Sequence, residues 1–156
     1  MPNLRKSAVI ATVRAHLQAR YDRIVGAALE ARGYATDPGS KAESKYDTRS
    51  LEASYLAIGQ GEQADELAEA LHDFDAFDWP DFPPEGRVAL GALVELEFAD
   101  DLVFCLIAPG SGGLTCRFEG AEVTVVTTQA PLYARIAGRY VGEPLPGPPL
   151  RIRSLC

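Results

Sequence analysis

Phe74-Asp75-Ala76-Phe77-Asp78-Trp79-Pro80-Asp81-Phe82-Pro83-Pro84-Glu85-Gly86 is the stretch at which the chain changes character. Before it, apolar residues recur every three or four positions; after it, they alternate with polar ones or gather in short runs. Proline has no amide hydrogen to donate, and its ring clashes with the preceding turn, so a helix arriving from the N-terminal side must stop by Trp79-Pro80. The prolines and Gly86 make 80–87 a linker. Residues 1–79 therefore read as helical and 88–156 as a small β domain, an α+β chain. Phe74, Phe77 and Trp79, set among aspartates, read as rings that tuck the linker against one or both parts.

Upstream, Leu56, Gln60, Ala64, Leu67, Leu71 and Phe74 form the inward stripe of a helix that starts between Ser40 and Ser50. Leu51, Tyr55 and Ile58 feed the same side. Gly59 and Gly61 each cost up to ~1 kcal/mol relative to alanine in a helix interior, unless they serve close helix contact. Earlier still, Ile10, Val13, Leu17, Tyr21, Ile24 and Ala28 mark a helix from about Leu4 to Arg32. Gly33 is placed to close it, and Asp37-Pro38-Gly39-Ser40 reads as a turn. Two long helices joined by one turn make an antiparallel coiled-coil hairpin. Charge agrees: residues 1–49 carry +4, residues 50–86 carry −10 without a single Lys or Arg, and the rest carries −1. A basic helix beside an acidic one is paired in register, although each surface ion pair contributes only ~0–1 kcal/mol.

Downstream, Val94-Glu95-Leu96-Glu97-Phe98 alternates as a half-buried strand does, within a strand-forming run that opens at Val88. Asp100-Asp101 turns into Leu102–Ile107, and Pro109-Gly110-Ser111-Gly112-Gly113 into Leu114–Phe118. Glu119-Gly120 turns into Val123–Thr127. Pro131 sits in the first turn of a short helix, and Leu150–Leu155 closes the chain as another alternating strand. Four or five antiparallel strands and one short helix are expected in about 70 residues, a size that folds alone only marginally.

Hydrophobic residues make up 47% of the 156, so a real core is affordable, and the net charge of −7 argues against sequence-independent nucleic-acid binding. No sequence-specific DNA-binding motif is visible. No run reaches the ~18 apolar residues of a membrane span, and the apolar stretch after Lys6 is too short for a secretory signal. Cys105, Cys116 and Cys156 have no metal-ligand spacing; an odd, scattered count fits a reducing cytoplasm, with Cys105 and Cys116 as small apolar strand residues. His16 and His72 lie on helices with no nucleophile or second ligand nearby. The glycine-rich 110–113 joins two strands and precedes no helix, so it is no phosphate cradle. No catalytic set assembles, and the chain is expected not to be an enzyme. The hairpin tip remains: Glu43, Asp47 and Glu52, near Asp37, could help coordinate a Mg²⁺ supplied by a partner, or serve as N-terminal charge on the second helix.

Val123 to Glu143 resembles the GreA/GreB family of transcription elongation factors. There the family has a strand, then Ser-Pro, an apolar helix ending in Gly-Lys, and a Gly-Asp turn; here stand Ala130-Pro131, Leu132 to Ala137, Gly138-Arg139 and Gly142-Glu143. Val88 to Glu97 is similar to the strand that opens the same domain, and Lys45 to Tyr55 resembles a divergent Gre-like subgroup. The resemblance implies an FKBP-like C-terminal domain that docks on bacterial RNA polymerase through Pro131, Gly138 and Arg139, and a coiled coil that enters the secondary channel. It implies modulation of transcription elongation, and in the cleavage factors a tip acid pair that helps hold a Mg²⁺ shared with the polymerase. No stably bound cofactor follows from it. The cleavage factors carry Gly-Asp, two residues, then Glu-Asn, followed by a tyrosine. With that tyrosine on Tyr55, Thr48 and Leu51 stand at the acid positions; Asp47 and Glu52 flank them, five apart instead of three. A non-cleaving Gre-like or Rnk-like regulator is the alternative this spacing leaves open. Two further readings are a peptidyl-prolyl isomerase, from fold alone, and an interaction module using the acidic helix.

Overall fold

The computed structural model describes residues 4–36, 49–147 and 149–156, and of 31–36 and 49–57 the backbone alone. Two long helices come first, α1 (Lys6–Thr36) and α2 (Arg49–Ala76). At 1.5 Å per residue they are about 46 and 42 Å long. Arg14 on α1 grips Asp75 on α2 with two parallel hydrogen bonds, Nε to Oδ1 at 2.8 Å and Nη2 to Oδ2 at 2.9 Å. The start of α1 thus meets the end of α2. Both helices expected from the two apolar stripes are present.

The stripes hold in the main and differ in three places. Val9, Val13, Leu17 and Ala28 of α1 are buried, as are Ala64, Leu71 and Phe74 of α2. Gly33 does not close α1, which runs on to Thr36; a glycine permits a left-handed exit from a helix but does not force one. Ile58 is exposed rather than inward, because at 100° per residue it lies about 120° around the helix from Ala64 and about 140° from Leu71. Gly59 and Gly61 face open space, with nothing within 4 Å of an added Cβ, so they serve no close helix contact. The turn read at 37–40 lies outside the described residues.

The chain forms two compact units. One is the 15–72 part of the helices. The other joins residues up to Arg14 and from Asp73 onward, so it holds the helix ends together with a sheet of five strands: β1 (Leu93–Phe98), β2 (Asp101–Ile107), β3 (Thr115–Phe118), β4 (Ala121–Val126) and β5 (Leu150–Leu155). Its order is β3-β4-β2-β1-β5. The expectation of a wholly antiparallel sheet is corrected here: β2 and β4 pair in parallel, Phe104 with Val123 through Ile107 with Val126. The cause is the connection after β2. The β3–β4 hairpin returns with β4 beside β2, so the glycine-rich 108–114 segment must carry the chain past the β4 position, about two strand spacings, before β3 begins. The two hairpins are tight. Phe98 pairs with Asp101, and Phe118 with Ala121, leaving two-residue loops at 99–100 and 119–120. Glu119 and Gly120 both take positive φ, as a hairpin turn matching strand twist requires.

One face of the sheet carries Val94, Leu96, Cys105, Ile107, Leu150 and Ile152. The short helix α3 (Pro131–Ile136) belongs to this core through Ile136. The opposite face carries Leu93, Phe104, Leu106, Cys116, Val123 and Val125, buried as well. A sheet apolar on both faces needs cover on both. The same unit contains buried Leu4, Val9 and Val13 of the α1 region and Phe74 of α2.

The join between helix ends and sheet is the linker. Trp79 stands 4.8 Å from both Phe74 and Phe77, edge-on to the latter at 88°. Its indole N–H donates to the Phe74 carbonyl at 3.3 Å. Lys6 donates to the Pro80 carbonyl and lies over the Phe82 ring, 4.8 Å from its centroid. On the sheet side Gly91 has φ +95°, and an added Cβ would sit 2.6 Å from Pro80 Cδ and 3.0 Å from Phe77 Cε1. The tuck expected of the aromatic cluster is therefore built around a glycine. Gly91→Ala is expected to lower stability by about 1–3 kcal/mol. Gly61→Ala, open and helical, is expected to raise it by up to about 1 kcal/mol. Denaturant unfolding of the two variants checks the opposite signs; equal effects contradict the packing described.

Candidate functional site

The region after β4 is shaped by backbone requirements. Pro131 opens α3 where a missing N–H costs nothing, behind Ala130 in extended conformation. The helix ends by a carbonyl of Tyr133 accepting from Ala137 N–H at 2.8 Å, and Gly138 exits with φ +73°. That exit lets 138–139 line up with Val88: Gly138 N–H donates to Val88 O, and Val88 N–H to Arg139 O, each at 2.8 Å. Pro131 and the Gly138-Arg139 pair thus sit at opposite ends of one helical turn and a half, in a rigid frame.

Arginines hold the chain that follows. Arg139 Nη1 donates to Glu143 Oε1 at 2.7 Å, while Glu143 Oε2 accepts the Tyr140 amide at 3.1 Å. Arg87 donates to the Gly138 carbonyl at 2.9 Å and lies 5.6 Å from the Tyr140 ring centroid. Gly142, at φ +80°, donates to the Ile152 carbonyl of β5. These bonds turn residues 141–147 into a strap beside β5. Arg87 and Tyr140 adjoin the Gly138-Arg139 pair, a placement that sequence reading did not give. The Arg139–Glu143 spacing of four was the available signal for the clamp.

The tip candidates are placed only in part. Glu43 and Asp47 lie outside the described residues, and Glu52 is near the described start of α2, its side chain not described. Among the described residues no three His, Cys, Asp or Glu side chains converge in a way that could hold a metal ion. His16 and His72 are exposed on α1 and α2. Burial pushes the Cys105 thiol up to about 11, and raises Cys116 and Cys156 in the same direction, so these sulfurs are poor nucleophiles at neutral pH. Glu95 is a buried carboxylate on β1 that accepts from Ser154 Oγ at 3.0 Å, and Glu97 pairs with Arg153 at 3.2 Å. The arrangement offers a stiff, partly cationic surface, suited to recognition. No helix among the described residues is long and apolar enough to cross a membrane.

No protein-family model and no curated protein matches the chain. Among solved structures, the GreA factor homolog 1 (Gfh1) protein of Thermus thermophilus is similar at 15% identity, over 92% of this chain and 94% of that one, with a TM-score of 0.37.

The Glu143 carboxyl is held below the usual range, first by the Arg139 hydrogen bond and then by the Tyr140 amide. Its folded pKa is depressed, so the clamp contributes fully above the unfolded carboxylate value of about 4.3 and fades as pH falls through the lower folded value. Glu143→Gln is expected to melt below the parent at neutral pH, with the gap closing once the pH falls well below the ordinary carboxylate range. Thermal unfolding at the two pH values checks this. A gap of equal size at both means the charge of Glu143 plays no part.

Proposed function

We propose that this chain is a Gre-like factor that binds bacterial RNA polymerase and modulates transcription elongation through the secondary channel. The observation that carries the reading is the pairing of two features in one chain. One is the pair of long helices α1 and α2, each more than 40 Å by its rise per residue; the other is the Val123–Glu143 segment, with its strand, proline-opened helix, Gly-Arg exit and Gly-Glu turn. A long hairpin of coiled-coil packing reaches into a narrow channel, and a small FKBP-like domain stays outside to dock. Pro131, Gly138 and Arg139 belong to that docking surface in this reading. The protein is cytoplasmic and is not itself an enzyme: the polymerase does any hydrolysis, and the factor supplies position.

Asp47 and Glu52, with Glu43, are the tip acids that would help hold the polymerase's Mg²⁺ if transcript cleavage is stimulated. Their spacing of five residues favours the second form of the reading, a non-cleaving Gre-like or Rnk-like regulator that competes for the same channel. Residues five apart on a helix do not share a face, whereas residues three apart do.

A backtracked elongation complex with Mg²⁺ tests both forms. The protein is expected to bind polymerase at micromolar concentration and to displace a known cleavage factor. Shortened RNA that disappears in the Asp47→Ala/Glu52→Ala double variant selects the cleaving form, and intact RNA selects the regulator. Absence of binding to polymerase at that concentration rejects the proposal as a whole.

A further inference from the structure

The strap 141–147, Pro149 and strand β5 line an open groove of about 720 Å³. β5 is an edge strand, and the strap lies along it, anchored where Gly142 N–H meets the Ile152 carbonyl at 3.1 Å. Arg135 secures the strap further on, donating to the Pro146 carbonyl at 3.3 Å. The Glu143 clamp fixes its near end. Fixed at three points, the groove is preformed, as ligand sites generally are.

Its lining has two chemistries. Pro144, Leu145 and Pro149 make an apolar wall, while Arg151 and Arg153 bring two guanidinium groups. Glu97 neutralises Arg153, and Glu143 is taken by Arg139. Arg151 is exposed and has no carboxylate partner among the described residues. Glu97 stands opposite Arg151 in the β1–β5 ladder but pairs with Arg153, so two arginines share one carboxylate and leave surplus positive charge beside the apolar wall, in a chain of net charge −7. A free phosphate would leave the apolar wall without a partner. An extended peptide meets both, because its alternate side chains reach different walls.

We propose that this groove seats an extended acidic segment of a partner protein, with an apolar side chain on Leu145 and Pro144 and a carboxylate on Arg151. The assignment does not require that the partner be the polymerase. It concerns β5 and the strap, not the Pro131 to Arg139 surface.

The full chain is titrated at low salt against a short fluorescein-labelled peptide of alternating leucine and glutamate, with a leucine–lysine peptide as control. Saturable binding of the acidic peptide alone is expected. Arg151→Gln and Leu145→Ser are each expected to weaken it about tenfold or more. Arg117→Gln, on β3 at the far edge of the sheet, is expected to leave it unchanged. Arg151→Lys keeps the charge and the stem and is expected to bind at an intermediate level, which separates lost recognition from lost folding. The proposal is overturned if the acidic peptide does not saturate, if Arg117→Gln weakens it as much as Arg151→Gln, or if inorganic pyrophosphate displaces it at peptide-like concentration.

Discussion

The approach of Pro80 to Gly91 is the constraint on which the rest of this structure depends. A proline stops α2 and a glycine accepts its ring, so the chain passes from helix to sheet without a gap between them. Around that contact Trp79 packs tilted against Phe74 and edge-on against Phe77, and Lys6 returns from the beginning of α1 to the Pro80 carbonyl and the Phe82 ring. Three stretches far apart in sequence meet there. A flexible tether would let the helix ends fray. Here the ends belong to the same compact unit as the sheet, and the Arg14–Asp75 fork ties them together.

Much of the architecture was legible. Helix periodicity located α1 and α2, and the alternation of Leu150–Leu155 located β5, because burial on one face imposes its period on the residues. Turn chemistry placed the β3–β4 hairpin at Glu119-Gly120 and the start of α3 at Pro131. What periodicity cannot carry is which strand lies beside which. Leu102–Ile107 looks the same whether its neighbour runs parallel or antiparallel, and the parallel β2–β4 pair follows from where a distant hairpin comes to rest. The only trace was the length of the glycine-rich connection, too long for a tight hairpin. Ile58 and Gly33 were misread for a related reason. Apolarity suggests burial and glycine suggests an end, but the angle around the helix and the packing beyond it decide.

The candidate surface was legible in its backbone residues and not in its side chains. Pro131 and Gly138 have strong conformational signatures, a fixed φ and a left-handed exit, and these read directly from sequence. The work of Arg87 depends on a fold-level meeting with Gly138, across 51 positions, that no local pattern announces. Arg151 was visible only as the polar half of an alternating strand. Its significance comes from the strap that passes alongside and from Glu97, opposite it on β1, pairing with Arg153 instead.

Because residues up to Arg14 share a compact unit with residues from Asp73 onward, that unit is discontinuous in the chain. The segment up to Arg14 completes a unit whose other members lie more than fifty residues further along the chain. The 15–72 helices need only nearby partners and can form early, whereas the sheet must wait both for its own C-terminal edge strand β5 and for the segment at the opposite end of the chain. Folding of the two units is therefore expected to differ in rate, with long-range closure the slow step.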